Sequence, residues 1–364
     1  MNRRRFLIGG GALALTGASA TYFDYRKLTS MTEYNASAVE TRRSLAERPD
    51  LSELIRYASL AASGHNTQPW KFRATDQQIE ILPDFGRRTP VVDPDDHHLF
   101  VSLGCATENL TVAAQARGLY GDVHFDSKKD GVVRFTFKKG PVTQSTLFAA
   151  IPRRQSTRLE YDGRALSSAD LKLLAKSALV DGVDLVLMTE RSQIDRVRDL
   201  IVAGNTIQMN DPGFMKELKM WLRFNPQEAL RTGDGLFSAA SGSPIVPTWM
   251  GSHFIDWFFR AQTENDKYSR QLNSSSGLAI FISHQADHLH WVQAGRASQR
   301  FALQATALGL KHCFVNQPVE VEQMRPDLAA LVGMPGRRPD LVMRFGYGPS
   351  LPFSARRPPG AILV

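Results

Sequence analysis

Residues 96–119 read DHHLFVSLGCATENLTVAAQARGL, and residues 287–310 read DHLHWVQAGRASQRFALQATALGL. The two stretches align without a gap from the pair Asp96/Asp287 to the pair Leu119/Leu310. Identities fall at His97/His288, Val101/Val292, Gly104/Gly295, Ala106/Ala297, Ala114/Ala305, Ala116/Ala307 and Gly118/Gly309. Each copy predicts a long helix closed by Gly-Leu, with glycine where the chain must turn left-handed. Small residues recur along both copies: Gly104, Ala106 and Ala113 in one, Gly295, Ala297 and Ser298 in the other. Small residues at a contact let two helices approach closely. A shared start, a shared stop and a constant offset together imply two related halves in one chain.

Working outward, strand-like runs flank the helices. VVRFTFKK (132–139) closes the first half, and Gly140-Pro141-Val142-Thr143-Gln144 makes a boundary before the helical STLFAAI. Helices mixed with a few strands put the class at α+β. The expected division is a leader at 1–20, a first, partly degenerate half at 21–140 and a second half at 141–364. The second half carries an insertion at about 225–254. Its core, RTGDGLFSAASGSPIVPTWMGSHF, mixes Gly, Ser and Pro with Phe237, Ile245, Val246, Trp249 and Met250. Long loops of this kind are lids or disordered segments, and the apolar content favours a lid.

Composition narrows the classes. The chain has 364 residues, 43% hydrophobic and 22% charged, which suits a large folded core and excludes a disordered chain. The net charge of +8 includes Arg3, Arg4 and Arg5, which precede FLIGGGALALTGASA. A basic start, an apolar run and Ala18-Ser19-Ala20 resemble a twin-arginine export signal. That reading predicts a partner in the twin-arginine export machinery and a periplasmic or otherwise exported location. The apolar run is shorter than the ~20 residues of a stable membrane span. No nucleic-acid-binding signature is present. Cys105 and Cys313 are expected as small buried residues, and no Cys-x-x-Cys spacing suggests zinc. His284, His288 and His290 cluster in SHQADHLH, but His288 repeats His97 at a helix start, so a fold role is expected and no metal is assigned.

Three polar strings remain. SGHNTQPW (63–70) lies between a helical run, LSELIRYASLAA, and KFRATDQQIEIL, which alternates like a strand. RRQSTR (153–158) opens the second half, and SARRPP (354–359) follows the strand-like LVMRFGYG. If the halves pack as a pseudo-dimer, these strings converge on one phosphate-bearing ligand, because guanidinium forks match phosphate oxygens. A further basic string, Thr41-Arg42-Arg43-Ser44, hints at a second phosphate string, but it lies too close to 63–70 to carry the full intervening helix, so one ligand per chain is expected.

These strings resemble segments of the FMN-dependent nitroreductases. SGHNTQPW is similar to a flavin-contacting segment, RQSTR to the Arg-x-Ser-x-Arg/Lys phosphate segment, and ATALGLKHCFVNQPVE to the Ala-rich helix and flavin-side loop. The fused arrangement is similar to the Acg-like branch of that superfamily. The resemblance implies a nitroreductase-like fold as a tandem pseudo-dimer, with FMN between the halves at one per chain. Arg154, Gln155, Ser156 and Arg158 would hold the phosphate, with Arg356 or Arg357 closing it. Ser63, Gly64, His65, Asn66 and Gln68 would approach the ring, with Asn316 and Gln317 beside it, and Trp70 would be a core or wall residue rather than a redox partner. Implied too is an exported oxidoreductase that reduces a small organic acceptor, nitroaromatic or quinone, by two electrons from an unidentified donor. The alternative is an FMN-sequestering protein with a closed lid and little turnover. Neither reading assigns a catalytic residue.

Overall fold

The computed structural model describes residues 30–251 and 260–364. The leader expected at 1–20 and residues 252–254 of the expected insertion lie outside the described residues. Along the first half run α1 (Thr32–Thr41), α2 (Leu51–Ser59), β1 (Trp70–Thr75), β2 (Gln78–Pro83), α3 (His97–Gln115), β3 (Leu119–Asp126) and β4 (Val132–Lys139). The second half continues with α4 (Thr146–Ala150), α5 (Ser168–Ser177), β5 (Val183–Met188), α6 (Arg191–Asn210), α7 (Pro212–Trp221), β6 (Leu222–Arg223), α8 (Pro226–Thr232) and β7 (Leu236–Phe237). It closes with α9 (Ala261–Asn273), β8 (Gly277–Ser283), α10 (His288–Ala307), β9 (Lys311–Phe314), α11 (Gln317–Glu320), α12 (Arg325–Leu331) and β10 (Leu341–Gly346).

The fold is α+β, with two antiparallel four-stranded sheets ordered β1-β2-β4-β3 and β5-β8-β10-β9. Read in chain order within each half, both sheets run first-second-fourth-third. In both, a long helix joins the second strand to the third. The two halves therefore share a topology as well as a sequence repeat.

The long helices α3 and α10 pack against each other through the repeated glycines. A Cβ on Gly104 would stand 2.0 Å from the Val292 carbonyl oxygen, and one on Gly295 would stand 2.0 Å from the Val101 carbonyl oxygen. Glycine is required at both positions because the backbones touch. Val101 and Val292 are themselves repeat partners, so the contact is reciprocal, as in a two-fold dimer interface. The expected stops hold: Gly118 (φ 72°) and Gly309 (φ 76°) lie in the left-handed region.

The shared Asp-His start is used differently in the two copies. Asp287 caps α10, accepting from the His290 N–H at 2.9 Å. Asp96 is itself left-handed (φ 59°) and caps nothing. Asp93 takes over, accepting from the N–H groups of His98 and Leu99 at 2.9 and 3.0 Å. His97 instead reaches across the interface, with Nε2 2.9 Å from Asp340 Oδ1, both side chains buried.

Two expectations change. KFRATDQQIEIL is a hairpin rather than one strand, with Asp76-Gln77 between β1 and β2. The extra chain of the second half is also larger than 225–254. Everything from 189 to 276 separates β5 from β8, where the first half needs two residues. Much of it is amphipathic helix, so a Gly/Ser/Pro-rich composition revealed only its middle. One core runs through both halves: Trp70, Phe72, Phe100 and Phe135 join Phe281, Phe301 and Phe345. The C-terminal arm then crosses back. Ile362 accepts from the Phe72 N–H (2.7 Å) and Val364 donates to the Phe72 carbonyl (2.9 Å), covering the exposed edge of β1.

Candidate functional site: a cavity between the halves with an arginine pocket

The string at 63–70 is held in a strained loop. His65 (φ 46°), Asn66 (φ 55°) and Gln68 (φ 52°) are all left-handed without being glycine. Each such residue costs about 1–3 kcal/mol and persists only where neighbours over-determine it. The neighbours are distant in sequence. Asn66 donates to the Gly235 and Ala355 carbonyls, both at 3.1 Å. Gln68 donates to the Gly233 carbonyl (2.8 Å) and accepts from the Arg357 N–H (2.9 Å). The loop thus ties the first half to the 233–235 turn and to the C-terminal arm.

Beside this loop lie two adjoining cavities. The larger, about 260 Å³, is bounded by Ser63, Gly64, His65, Ser102 and Cys105 from the first half. Ser156, Arg158, Phe314, Asn316 and Gln317 face them from the second. The smaller, about 40 Å³, shares Ser63, Ser156 and Arg158 with the larger and adds Arg42, Asn66, Arg154, Gln155 and Arg356. Their combined size approaches the lower end of the ~300–1,000 Å³ typical of ligand sites.

The small pocket is a concentration of uncompensated positive charge. Four arginines line it, and no Asp or Glu does among the described residues. Arg154 is only 3% exposed, and among the described residues its Nε and Nη1 have no hydrogen-bond partner; nor does Arg356 Nε. The bonds these arginines do make go to neutral acceptors. Arg154 Nη2 donates to the Leu60 carbonyl (3.0 Å), Arg356 Nη1 to Asn66 Oδ1 (2.8 Å) and Arg42 Nη2 to the Ser354 carbonyl (3.2 Å). Burial, then the charge of Arg154, brings the Arg42 guanidinium down to about 9. Burial brings Arg154 down to about 10 and, with Arg42 and Arg154 beside it, holds Arg356 well below its ordinary range. Buried cations without a counter-ion are costly, and an anion with several acceptor oxygens would relieve the cost.

Most of the sequence-derived residues meet here, in distinct roles. Ser63, Gly64, His65, Ser156, Arg158, Asn316 and Gln317 line the large cavity, and Asn66, Arg154, Gln155 and Arg356 line the small one. Gln155 is engaged as a backbone clip, bonding the carbonyl and N–H of Leu351 at 2.9 and 3.0 Å. Asn316 Oδ1 accepts from the Val342 N–H (2.9 Å). Gln317 Oε1 is buried without a partner among the described residues and is a free acceptor on that wall. Burial, then Arg158, lowers the His65 imidazole to about 4, so it is neutral at physiological pH. Gln68 and Arg357 line neither cavity. Gln68 is fully buried between loop and arm, and Arg357 points to the Gln68 and Ala361 carbonyls and towards Asp84.

Arg42 corrects the sequence reading. Its string hints at no second site, because α1 delivers Arg42 to the same pocket as Arg154 and Arg356. The Arg-Arg pair was the available signal. Sequence reading also missed the far wall of the large cavity, where Thr89, Val92, His98, Asn205, Gln208, Phe214, Leu218 and Glu320 gather. Leu236, Ser238, Ser241 and Ser243, from the segment expected as a lid, line the same cavity. Cys105 and Cys313 are buried and unpaired. Among the described residues no cluster of His, Cys, Asp or Glu is arranged to hold a metal, and no helix is long and apolar enough to cross a membrane.

No protein-family profile matches the chain. It is 28% identical over 307 residues to Rv3131 of Mycobacterium tuberculosis, named provisionally as an NAD(P)H nitroreductase, covering 81% of this chain and 84% of that one. It is 23% identical over 326 residues to the acg protein of the same organism, named in the same way, covering 85% and 93%. Solved nitroreductases are also among its structural neighbours. An FMN-bound enzyme from Bacteroides fragilis matches with 13% identity and a TM-score of 0.35, covering 57% of this chain and 90% of that one. The FMN-dependent NfnB of Mycobacterium smegmatis, solved with NADPH, matches with 12% identity and a TM-score of 0.37, covering 56% and 87%.

Proposed function

We propose that this chain is an FMN-dependent oxidoreductase of the nitroreductase type, with one FMN held between its halves. The observation that carries the proposal is the arginine pocket, where four cations and no carboxylate adjoin a cavity wide enough for a ring system. The relatives named as nitroreductases support the same reading. Arg42, Arg154, Arg158 and Arg356 would bind the phosphate, with the Ser156 hydroxyl as a neutral donor. Ser63–His65 and Ser102 would flank the ring from the first half, and Asn316 and Gln317 from the second. The buried, unpartnered Gln317 Oε1 suits a ring N–H donor. Bound there, FMN would supply two-electron redox chemistry. The apolar side chains of Val92, Phe214, Leu218 and Leu236 would exclude water and leave room for a small planar acceptor, quinone or nitroaromatic.

The segment at 234–248 would cover this cavity, and a twin-arginine leader would export the protein after the cofactor is bound. Fractionation of cells expressing the full chain tests export; recovery only from the cytoplasm would refute it.

The binding claim is tested by titrating cofactor-free protein with FMN and with riboflavin. Charge-assisted bonds contribute ~1.5–3 kcal/mol each, so FMN should bind at least about a hundredfold more tightly than riboflavin. Equal affinities would remove the arginine pocket from the account.

A further inference from the structure

On the far wall of the large cavity, the Glu320 carboxylate stands beside Gln208 and His98. Oε2 accepts from Gln208 Nε2 of α6 at 2.7 Å. Oε1 accepts no hydrogen bond among the described residues and lies 3.6 Å from His98 Nε2 of α3. The side chain is 20% exposed, and it lines the cavity together with His98 and Gln208. None of the three lines the arginine pocket. We propose that Glu320, backed by His98, carries the proton delivered to the acceptor reduced in this cavity. This rests on the reading of the chain as a flavin oxidoreductase.

Reduction of a quinone-type acceptor to its hydroquinone takes up two electrons and two protons. A reduced flavin bound in the cavity would supply both electrons and one proton. Glu320 supplies the other proton, breaking its own O–H bond as the acceptor's O–H bond forms. Glu320 is left as a carboxylate facing His98 and recovers a proton from water when product leaves and the cavity rehydrates.

The surroundings suit that task. Burial raises the Glu320 carboxyl to about 7; the Gln208 bond opposes this and the charge of Asp93 adds to it. On α3, burial holds His98 neutral, with help from His97 and from Arg338. Across the cavity α9 presents Glu264, Lys267 and Tyr268, of which Lys267 and Glu264 are paired at 3.6 Å. Arg325 of α12 donates to the Val319 carbonyl rather than to Glu320. No cation is therefore hydrogen-bonded or ion-paired to the carboxylate, among the described residues, to hold it ionised. The exposure that Glu320 retains opens onto the cavity, so filling that space with ligand completes its desolvation and favours the protonated form.

The experiment counts protons. Menadione, a planar quinone, is titrated into oxidised, FMN-loaded wild type and Glu320→Gln by calorimetry at about pH 7.5, in two buffers of different ionisation enthalpy. Wild type should take up roughly half a proton more than Glu320→Gln does, since its carboxyl would be mostly ionised before the acceptor space is filled and protonated afterwards. Equal counts, or no menadione binding to FMN-loaded protein, would overturn the proposal while leaving FMN binding intact. If neither protein binds FMN, the functional reading fails and this proposal with it. Should Glu320→Gln not fold, infrared difference spectra of wild type decide the matter. Menadione binding to the oxidised, FMN-loaded protein should produce the carbonyl band of a protonated carboxylic acid, shifting in heavy water, and its absence would refute the assignment.

Discussion

Arginine side chains set the character of this molecule at the scale of single residues. Arg42, Arg154 and Arg356 repel one another in a pocket without a counter-ion among the described residues, so the unliganded pocket carries a local destabilisation that an anion would remove. Arg42→Met should therefore weaken FMN binding about 10–100-fold, the loss of one charge-assisted contact. It should leave the melting temperature of cofactor-free protein unchanged or higher, and parallel binding and thermal measurements check both signs. A fall in both would make Arg42 a structural residue. Glu320 gives a pH signature. Its carboxyl is raised from 4.5 to about 7 in the folded state, so the folded protein binds more protons between those values. The stability it contributes is fully present below about pH 4 and is lost as pH rises through about 7. Glu320→Gln should flatten this part of the profile in denaturant titrations between about pH 5 and 8. Arg154, Ser156 and Arg158 were legible in the sequence because a short charged string with a hydroxyl suits a phosphate. Asn66 and Gln68 were legible as unusual but not in their roles, since their partners at Gly233, Gly235 and Ala355 are remote in sequence. Glu320 carried no local signal, because its setting is made by α3 and α6.

Elements tell a related story. The helix pair α3–α10 could be foreseen from the repeat, and its glycines mark the place where backbones meet. Gly104→Ala would force a methyl to within 2.0 Å of a backbone oxygen that cannot retreat without moving α10. We expect severe destabilisation, about 3 kcal/mol or more, read as lost folded yield or a lower denaturation midpoint. A full-strength midpoint would mean that the helices do not cross there. In the loop at 63–70, Gln68→Ala leaves the Arg357 N–H without its acceptor and the left-handed backbone less constrained. A loss of about 1–3 kcal/mol is expected, with FMN affinity falling because Ser63 and Asn66 shift as well. The extent of the insertion was not legible, since amphipathic helices between β5 and β8 look like any other helices. The proposed cover at 234–248 is best tested at a single side chain. Asp234 is paired with Arg87 and Arg223, and the Gly235 N–H donates to the Asn66 carbonyl, so a deletion would dismantle the loop. Leu236→Ala is the gentler probe, expected to speed the entry of small oxidants to the cavity.

For the whole molecule, two similar halves enclose one site because their polar loops are unlike. The first half offers 63–70 and Arg42; the second offers 153–158, 314–320 and the returning C-terminal arm. Symmetry governs the packing, while asymmetry governs the chemistry. Since each half contributes groups that the other lacks, ligand binding and the union of the halves should be coupled, and saturating FMN should raise the melting temperature. The central claim is one phosphate-bearing flavin between the halves of a single chain. Its most direct test is the ratio of FMN to chain in protein purified with its cofactor, taken from the absorption of released chromophore against protein mass. The account predicts one FMN per chain in a monomer. A ratio of two, or a colourless protein that takes up no added FMN, would contradict it.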